Sequence, residues 1–214
     1  MRVLIACEES QVVCKAFRDL GHEAYSCDIL PCSGGRPEWH IQDDVLKHLN
    51  DGWDLIIAHP PCTYLSNAGA TRLYPKPGQL NVDRFAKGLE AKQFFLKLLN
   101  CNCPKVCVEN PIPSKVYQLP PYSQIIEPYF FGEPFKKKTC LWLRNLSHLK
   151  PTNIIKDGLQ CWVSGGSRKK TNRLPSPGFR DAKTRSKTFK GIAAAMAAQW
   201  GGNNENKNTC VKIL

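Results

Sequence analysis

The stretch Trp53–Gly69, "WDLIIAHPPCTYLSNAG", decides how this chain is read. The apolar run Leu55–Ala58 leads into His59-Pro60-Pro61-Cys62, after which the chain turns polar. Proline has no N–H for a sheet ladder and pushes the residue before it towards extended geometry. A strand must therefore stop here, as a stiff, extended platform with a thiol at its tip. Such a platform fills a core poorly and aims a nucleophile well.

On either side, short apolar runs alternate with helical spacing. "RVLIAC" (Arg2–Cys7) reads as a strand ending in the polar "EESQ", and "QVVCKAFRDLG" carries helical spacing to Gly21. "HEAYSCDI" reads as a second strand closing on Asp28, "ILPCSGGRPEWH" as a Pro/Gly loop, and "DDVLKHLND" as a short helix. The third strand is "WDLIIAH", Val82–Asn100 has the best amphipathic helical pattern, and "KVCVENP" is a fourth strand. "QIIEPYFFG" and "KTCLWL" read as two later strands, and "TFKGIAAAMAAQWG" as a closing helix. The alternation predicts one α/β domain over residues 1–202, a mostly parallel sheet with helices on both faces. Residues 203–214 read as a flexible tail.

In such a sheet, ligands sit at the C-terminal ends of the strands. The residues at those ends are Cys7-Glu8-Glu9-Ser10, Asp28, Pro60-Pro61-Cys62 and Glu109-Asn110-Pro111, with Asp44 nearby. Acid, thiol and acid are thus expected on one rim.

Composition narrows the partner. The 214 residues carry 30 Lys+Arg against 18 Asp+Glu, a formal +12, which favours a polyanion, nucleic acid before membrane. No run approaches a membrane span, and the opening "MRVLIACEES" lacks a signal-peptide layout, so the expectation is a cytoplasmic protein without membrane partners. Eleven cysteines in that compartment are read as thiols. Cys101-x-Cys103-x3-Cys107 has no matching second pair, so no metal is expected. From Arg144 to Lys190 there are twelve basic residues against two acids, Asp157 and Asp181. Ten of the twelve net charges therefore lie in a segment poor in apolar residues, the pattern of an arm that tracks phosphates.

The rim suggests a chemistry. An acid closing the second strand suits a ribose hydroxyl, and the absence of G-x-G-x-x-G argues against a pyrophosphate-bearing dinucleotide. S-adenosylmethionine has an adenosine and an amino-acid end but no phosphate, and it fits. Carbon 5 of cytosine is too poor a nucleophile to attack a methyl donor unaided. A thiolate adding at carbon 6, with an acid at ring N3, makes carbon 5 enamine-like.

"HPPCTYLS", "ENP" and "RSKTFKGIAAAMAAQWG" resemble the cytosine-C5 DNA methyltransferases, most closely a short branch of phage and prophage type. The resemblance covers nearly the whole chain apart from the tail. It implies a Rossmann-like S-adenosylmethionine-dependent methyltransferase fold acting on DNA in a bacterial cell or phage-infected host. Cys62 takes the place of the nucleophile, Glu109 that of the acid with Asn110 beside it, and Lys137 that of the first arginine in a late Arg-x-Arg. The cofactor set implied is Cys7, Glu8, Glu9 and Ser10 in the first turn, Asp28 and Ile29 at the ribose, Asp44 and Val45 at adenine, and Pro60. Lys190, at a position more often proline, suggests a second donor, carboxy-S-adenosylmethionine, and a carboxymethyl product. DNA contacts are expected from Ser66, Arg168, Lys169, Lys170, Arg173 and Arg185, in a monomer that flips its base or takes a single strand.

The chain departs from the larger members in three places. "ACEES" replaces Phe-x-Gly-x-Gly, Thr139 stands at the second arginine, and the basic segment 144–190 replaces a full target-recognition domain. Three other readings stay open: an amino-methyltransferase, which normally follows its prolines with an aromatic; an RNA substrate; and a DNA-binding protein without catalysis.

Overall fold

Alternation along short strands sorts side chains onto the two faces of a seven-stranded sheet. The structure is a computed structural model that describes residues 1–162 and 182–202. Its strands are β1 (Arg2–Ala6), β2 (Glu23–Asp28), β3 (His40–Gln42), β4 (Leu55–Ala58), β5 (Lys105–Pro111), β6 (Gln124–Ile126) and β8 (Thr139–Arg144). A separate pair, β7 (Phe135–Lys136) and β9 (Gln160–Cys161), flanks them. The order across the sheet is β3-β2-β1-β4-β5-β8-β6. Every neighbouring pair from β3 to β5 is parallel, whereas β8 runs antiparallel to both β5 and β6.

Val3, Ile5, Leu55, Ile57 and Cys107 face helices α1 (Val12–Asp19) and α5 (Lys190–Gly201). Leu4, Ala6, Ile56, Ala58, Val106 and Val108 face α3 (Val82–Leu99), which contributes Phe95 and Leu98. Helices therefore cover both faces, which is why the parallel strands read as unbroken apolar runs. The chain winds one way through β1, β2 and β3, then the other way through β4 and β5. The switch point falls between β1 and β4, where the "ACEES" turn and the Pro-Pro-Cys platform stand side by side. This is the Rossmann-like α/β fold expected from the sequence.

Smaller elements differ. His40–Gln42, of which His40 was expected to end a loop and the next two residues were assigned to no element, is a strand, held by parallel pairing with Ser26–Asp28. The helix expected over "DDVLKHLND" shrinks to one 3₁₀ turn, Val45–Lys47, because Asp44 caps Leu46 N at 3.0 Å and too few residues follow to propagate a helix. The strand expected over "QIIEPYFFG" ends at Ile126, and Pro128 opens a 3₁₀ turn instead. Two short helices, α2 (Asn67–Ala70) and α4 (Ala182–Ser186), were not legible as helices. Among the described residues no helix is long and apolar enough to cross a membrane, and no group of three or more potential metal ligands gathers.

Candidate active site

β4 and β5 are parallel neighbours in the register Ala58↔Val108, so the residues that follow, His59 and Glu109, emerge side by side at the C-terminal rim. His59 Nδ1 lies 3.3 Å from Glu109 Oε2, with the two side chains 11% and 19% exposed. Burial alone would push Glu109 up. The hydrogen bond and charge of His59, joined by the charge of Lys137, outweigh it and hold the carboxyl below its usual range. Pro60 is buried and Pro61 exposed, and Cys62 is half-buried beyond them. Burial raises the Cys62 thiol, and so does the Glu109 charge, while Lys137 and Arg185 pull the other way. Cys62, Glu109, Lys137 and Arg185 thus share one electrostatic environment. Lys137 Nζ also donates to the Arg185 carbonyl at 3.0 Å, tying the short α4 to the strand that carries the lysine's neighbour Thr139.

The loop after Cys62 is pinned from two sides. Asn67 N donates to Ile112 O at 2.9 Å and Ser114 N to Leu65 O at 2.7 Å, which joins it to the chain leaving β5. From α3, Arg84 Nη2 donates to Thr63 O at 2.9 Å and to Gly69 O at 3.0 Å, with its guanidinium 4.9 Å from the centre of the Tyr64 ring. Neither His59 nor Arg84 was picked out from the sequence. Nothing in "LIIAHPP" or on a polar helix face announces a contact 50 or 21 residues away.

On the other side of the switch point, the first turn is built without glycine. Cys7 and Gln11 take left-handed backbone, at φ 60° and 58°. Glu8 turns inward and is 5% exposed, and its carboxylate accepts from Val13 N at 2.7 Å and Cys14 N at 3.2 Å. Expected among the cofactor contacts, Glu8 is instead the cap of α1, placed where the helix N-terminus is positive. Glu9 accepts from Ser33 Oγ, and Ser10 lies beside it at the rim. Asp28 accepts from Leu30 N at 2.9 Å through Oδ1. Ile29 is 72% exposed, while Val45 is buried beneath the exposed Asp44.

Three further expectations are corrected. Asn110 is wholly buried and alternates with Glu109, which puts it on the α3 face with Val106 and Val108, away from the Glu109 side. Ser66, expected on DNA, is 6% exposed and its hydroxyl accepts from Gly69 N at 3.2 Å as the cap of α2. Lys190 is the exposed first residue of α5, in a turn already holding the Glu133 carboxylate, which accepts from Gly191 N at 2.7 Å. A resident carboxylate so close opposes a carboxylated donor there, and that donor finds no support. Arg168, Lys169, Lys170 and Arg173 lie outside the described residues.

No family model matches the chain, and no curated protein does either. In fold it is similar to methyltransferases of known structure. A protein described as a DNA modification methyltransferase encoded within an E. coli prophage is 14% identical at a TM-score of 0.46, the match covering 72% of this chain and 52% of that one. The S. pombe Dnmt2 methyltransferase is 15% identical at 0.42, covering 67% and 50%. The Entamoeba histolytica methyltransferase EhMeth is 11% identical at 0.45, covering 72% and 57%. This chain spans about half the length of those structures. The roles of individual residues rest on the geometry of the site itself.

Proposed function

We propose that this protein is an S-adenosylmethionine-dependent DNA methyltransferase acting at carbon 5 of cytosine. The observation that carries the reading is the pairing of a platform thiol, Cys62, with a partly buried carboxyl, Glu109, on adjacent strands in the field of one lysine. The residues across the switch point fit the cofactor. Asp28 keeps Oδ2 for a ribose hydroxyl, Ile29 offers an exposed apolar side chain to the adenosine, and Asp44 sits where an exocyclic amine could donate. When bound, the cofactor supplies an electrophilic methyl group. The chain's own residues make carbon 5 able to take it.

Cys62 adds as thiolate to carbon 6 while Glu109 hands a proton to N3. Glu109 in its charged form raises the thiol, so the thiolate is least opposed while Glu109 carries the proton, and carbon 6 takes up the sulfur's charge as that proton passes to N3. Lys137 favours the thiolate throughout and stands where a ring carbonyl oxygen would find a cation. After alkylation, loss of the carbon 5 proton expels the Cys62 thiolate and restores aromaticity. Arg185 and the basic residues 168–173 supply phosphate contacts that position without reading sequence. The expected readout is 5-methylcytosine in duplex DNA by nucleoside mass spectrometry, present with the native protein and absent with Cys62→Ala. An N-methylated base formed by both proteins would overturn the C5 mechanism.

A further inference from the structure

His59 stands against the partly buried carboxylate of Glu109, within the field of the buried Glu8. Its Nδ1 is 3.3 Å from Glu109 Oε2, and its charge acts in turn on the wholly enclosed Glu8 at the head of α1. Nε2 is buried with no hydrogen-bond partner. The backbone beneath is fixed, since His59 N donates to Ala6 O at 2.9 Å and Pro60 follows. A cavity of about 20 Å³ lies alongside, lined in part by His59, Glu109, Lys137 and Thr139. That is room for one water among polar partners. An imidazole used only for packing would not be buried against one acid, within the field of a second, with a ring nitrogen left unpaired.

We propose that His59 is the positioning and proton-supplying residue for Glu109. The proposal rests on the C5 reading of the site. Glu109 must give a proton to ring N3 as Cys62 adds, yet its surroundings keep it ionised at rest. The imidazolium of His59 resolves this. Its Nδ1–H passes to Glu109 Oε2, leaving the imidazole neutral, and the carboxylic acid so formed gives a proton to N3. The Cys62 sulfur–carbon 6 bond forms in the same event, and the electron pair moves into the ring. On elimination solvent water takes the carbon 5 proton, and the freed pair forms the carbon 5–carbon 6 double bond as the carbon–sulfur bond breaks. Cys62 leaves as thiolate, N3 returns its proton to Glu109, and Glu109 returns one to His59. No net proton is gained or lost at the pair. The groups facing His59 are Glu109 on β5, Glu8 at the start of α1, and the Lys137 ammonium across Glu109. Lys137 favours the Glu109 carboxylate, so the imidazole is the group left to carry the mobile proton.

The test uses the full-length protein and two readouts. In the free protein, the Glu109 carboxyl carbon is followed by NMR against pH, assigned by its loss in Glu109→Gln. His59→Gln is expected to move that titration up by about one pH unit or more, as an opposite charge within hydrogen-bond reach is removed. An unmoved titration overturns the proposal, whatever the protein's substrate. In the second readout, single-turnover methylation of cytosine DNA is measured from acid to alkaline pH. His59→Gln and His59→Asn are expected to lower the rate about 100-fold and change the shape of the pH profile, with KM for DNA unchanged. A uniform loss with the native profile shape would mean a merely structural role and overturn it. Should the native protein methylate no cytosine, the functional reading fails, and the NMR titration still decides whether His59 governs Glu109.

Discussion

Arg84→Ala tests whether the nucleophile's platform owes its accuracy to one side chain on α3. Arg84 spans the loop after Cys62, giving two hydrogen bonds from Nη2 to Thr63 O and Gly69 O and laying its guanidinium over Tyr64. At this half-exposed position each hydrogen bond contributes about 0.5–1.5 kcal/mol. The cation–π contact adds about 0.5–1 kcal/mol. About 1.5–4 kcal/mol of loop order is therefore at stake. Were all of it expressed in how often Cys62 sits in attack geometry, the rate would fall about 10- to 900-fold. The prediction is specific because Arg84 touches neither Glu109 nor Lys137 and leaves the core of α3, Phe95 and Leu98, intact. Covalent trapping on a 5-fluorocytosine oligonucleotide reads the attack step directly, and a thermal melt reads the fold. Expected are slow trapping by Arg84→Ala, partial recovery by Arg84→Lys, and a fall in melting temperature of only a few degrees. Trapping within threefold of native would show that the backbone ties at Asn67 and Ser114 hold the loop without the guanidinium.

Gly88→Ala, normally favourable in a helix by about 1 kcal/mol, should destabilise here. Its new Cβ would overlap the ring and hydroxyl of Tyr117, which is 2% exposed and stacked on Phe85. Overpacking of that kind costs about 1–3 kcal/mol, and a melting temperature above native would refute the contact. The turn carrying Asp44 should depend on pH in both directions. The hydrogen bond that His48 donates to Asp51, with Asp43 assisting, raises His48, so its contribution is complete below 6.5 and fades as pH climbs through the raised value. Hydrogen bonds from Lys47, Asp44 N and His48 bring Asp43 down to about 2, so its contribution is complete above its ordinary 3.8 and is lost as pH falls towards 2. The melting difference between native protein and His48→Asn should therefore be larger near about pH 5.5 than near about pH 9, and a difference independent of pH would refute the lock. Replacing Arg168, Lys169, Lys170 and Arg173 together by glutamine should weaken duplex binding at every sequence. The slope of log K against log salt should flatten by up to about 3.6 if all four meet phosphates, and an unchanged slope would put the arm elsewhere.

The strands legible in the sequence were those whose local pattern and long-range partners agree. Val3–Ala6 and Leu55–Ala58 are apolar throughout because both faces are covered, and prolines or acids end them where the rim begins. His40–Gln42 was not legible, since three residues, none buried, become a strand only through the register with Ser26–Asp28. Asp44 shows the opposite failure. It looks like the cap of a helix and is one, but the helix it opens is a single turn because His48 and Trp53 fix the chain just beyond it. Trp53 does so by donating to His48 O at 2.6 Å.

The site divides along the same line. Cys62, Asp28 and Glu109 could be proposed from sequence because each lies near the C-terminal end of a strand, and a parallel sheet brings strand ends together whatever lies between them. Glu8 and Ser66 could not be separated from ligand-facing neighbours, because an acid or hydroxyl near a helix start reads alike whether it meets a cofactor or its own backbone. Their burial decides the matter. His59 was hidden for a deeper reason: its meaning lies in a balance of charges. Glu109 alone, desolvated, would favour the neutral acid. Lys137 and His59 together make it an anion that raises the neighbouring thiol and holds it back. Restraint of this kind suits a protein with ten described cysteines, all of them free, because a thiol held up by a neighbouring carboxylate resists oxidation between turnovers. On this account Glu109→Gln should have two separable effects, slower methylation and faster alkylation of Cys62 by iodoacetamide in the free protein. Slower alkylation would show that Glu109 activates the thiol at rest and would reverse the order of events.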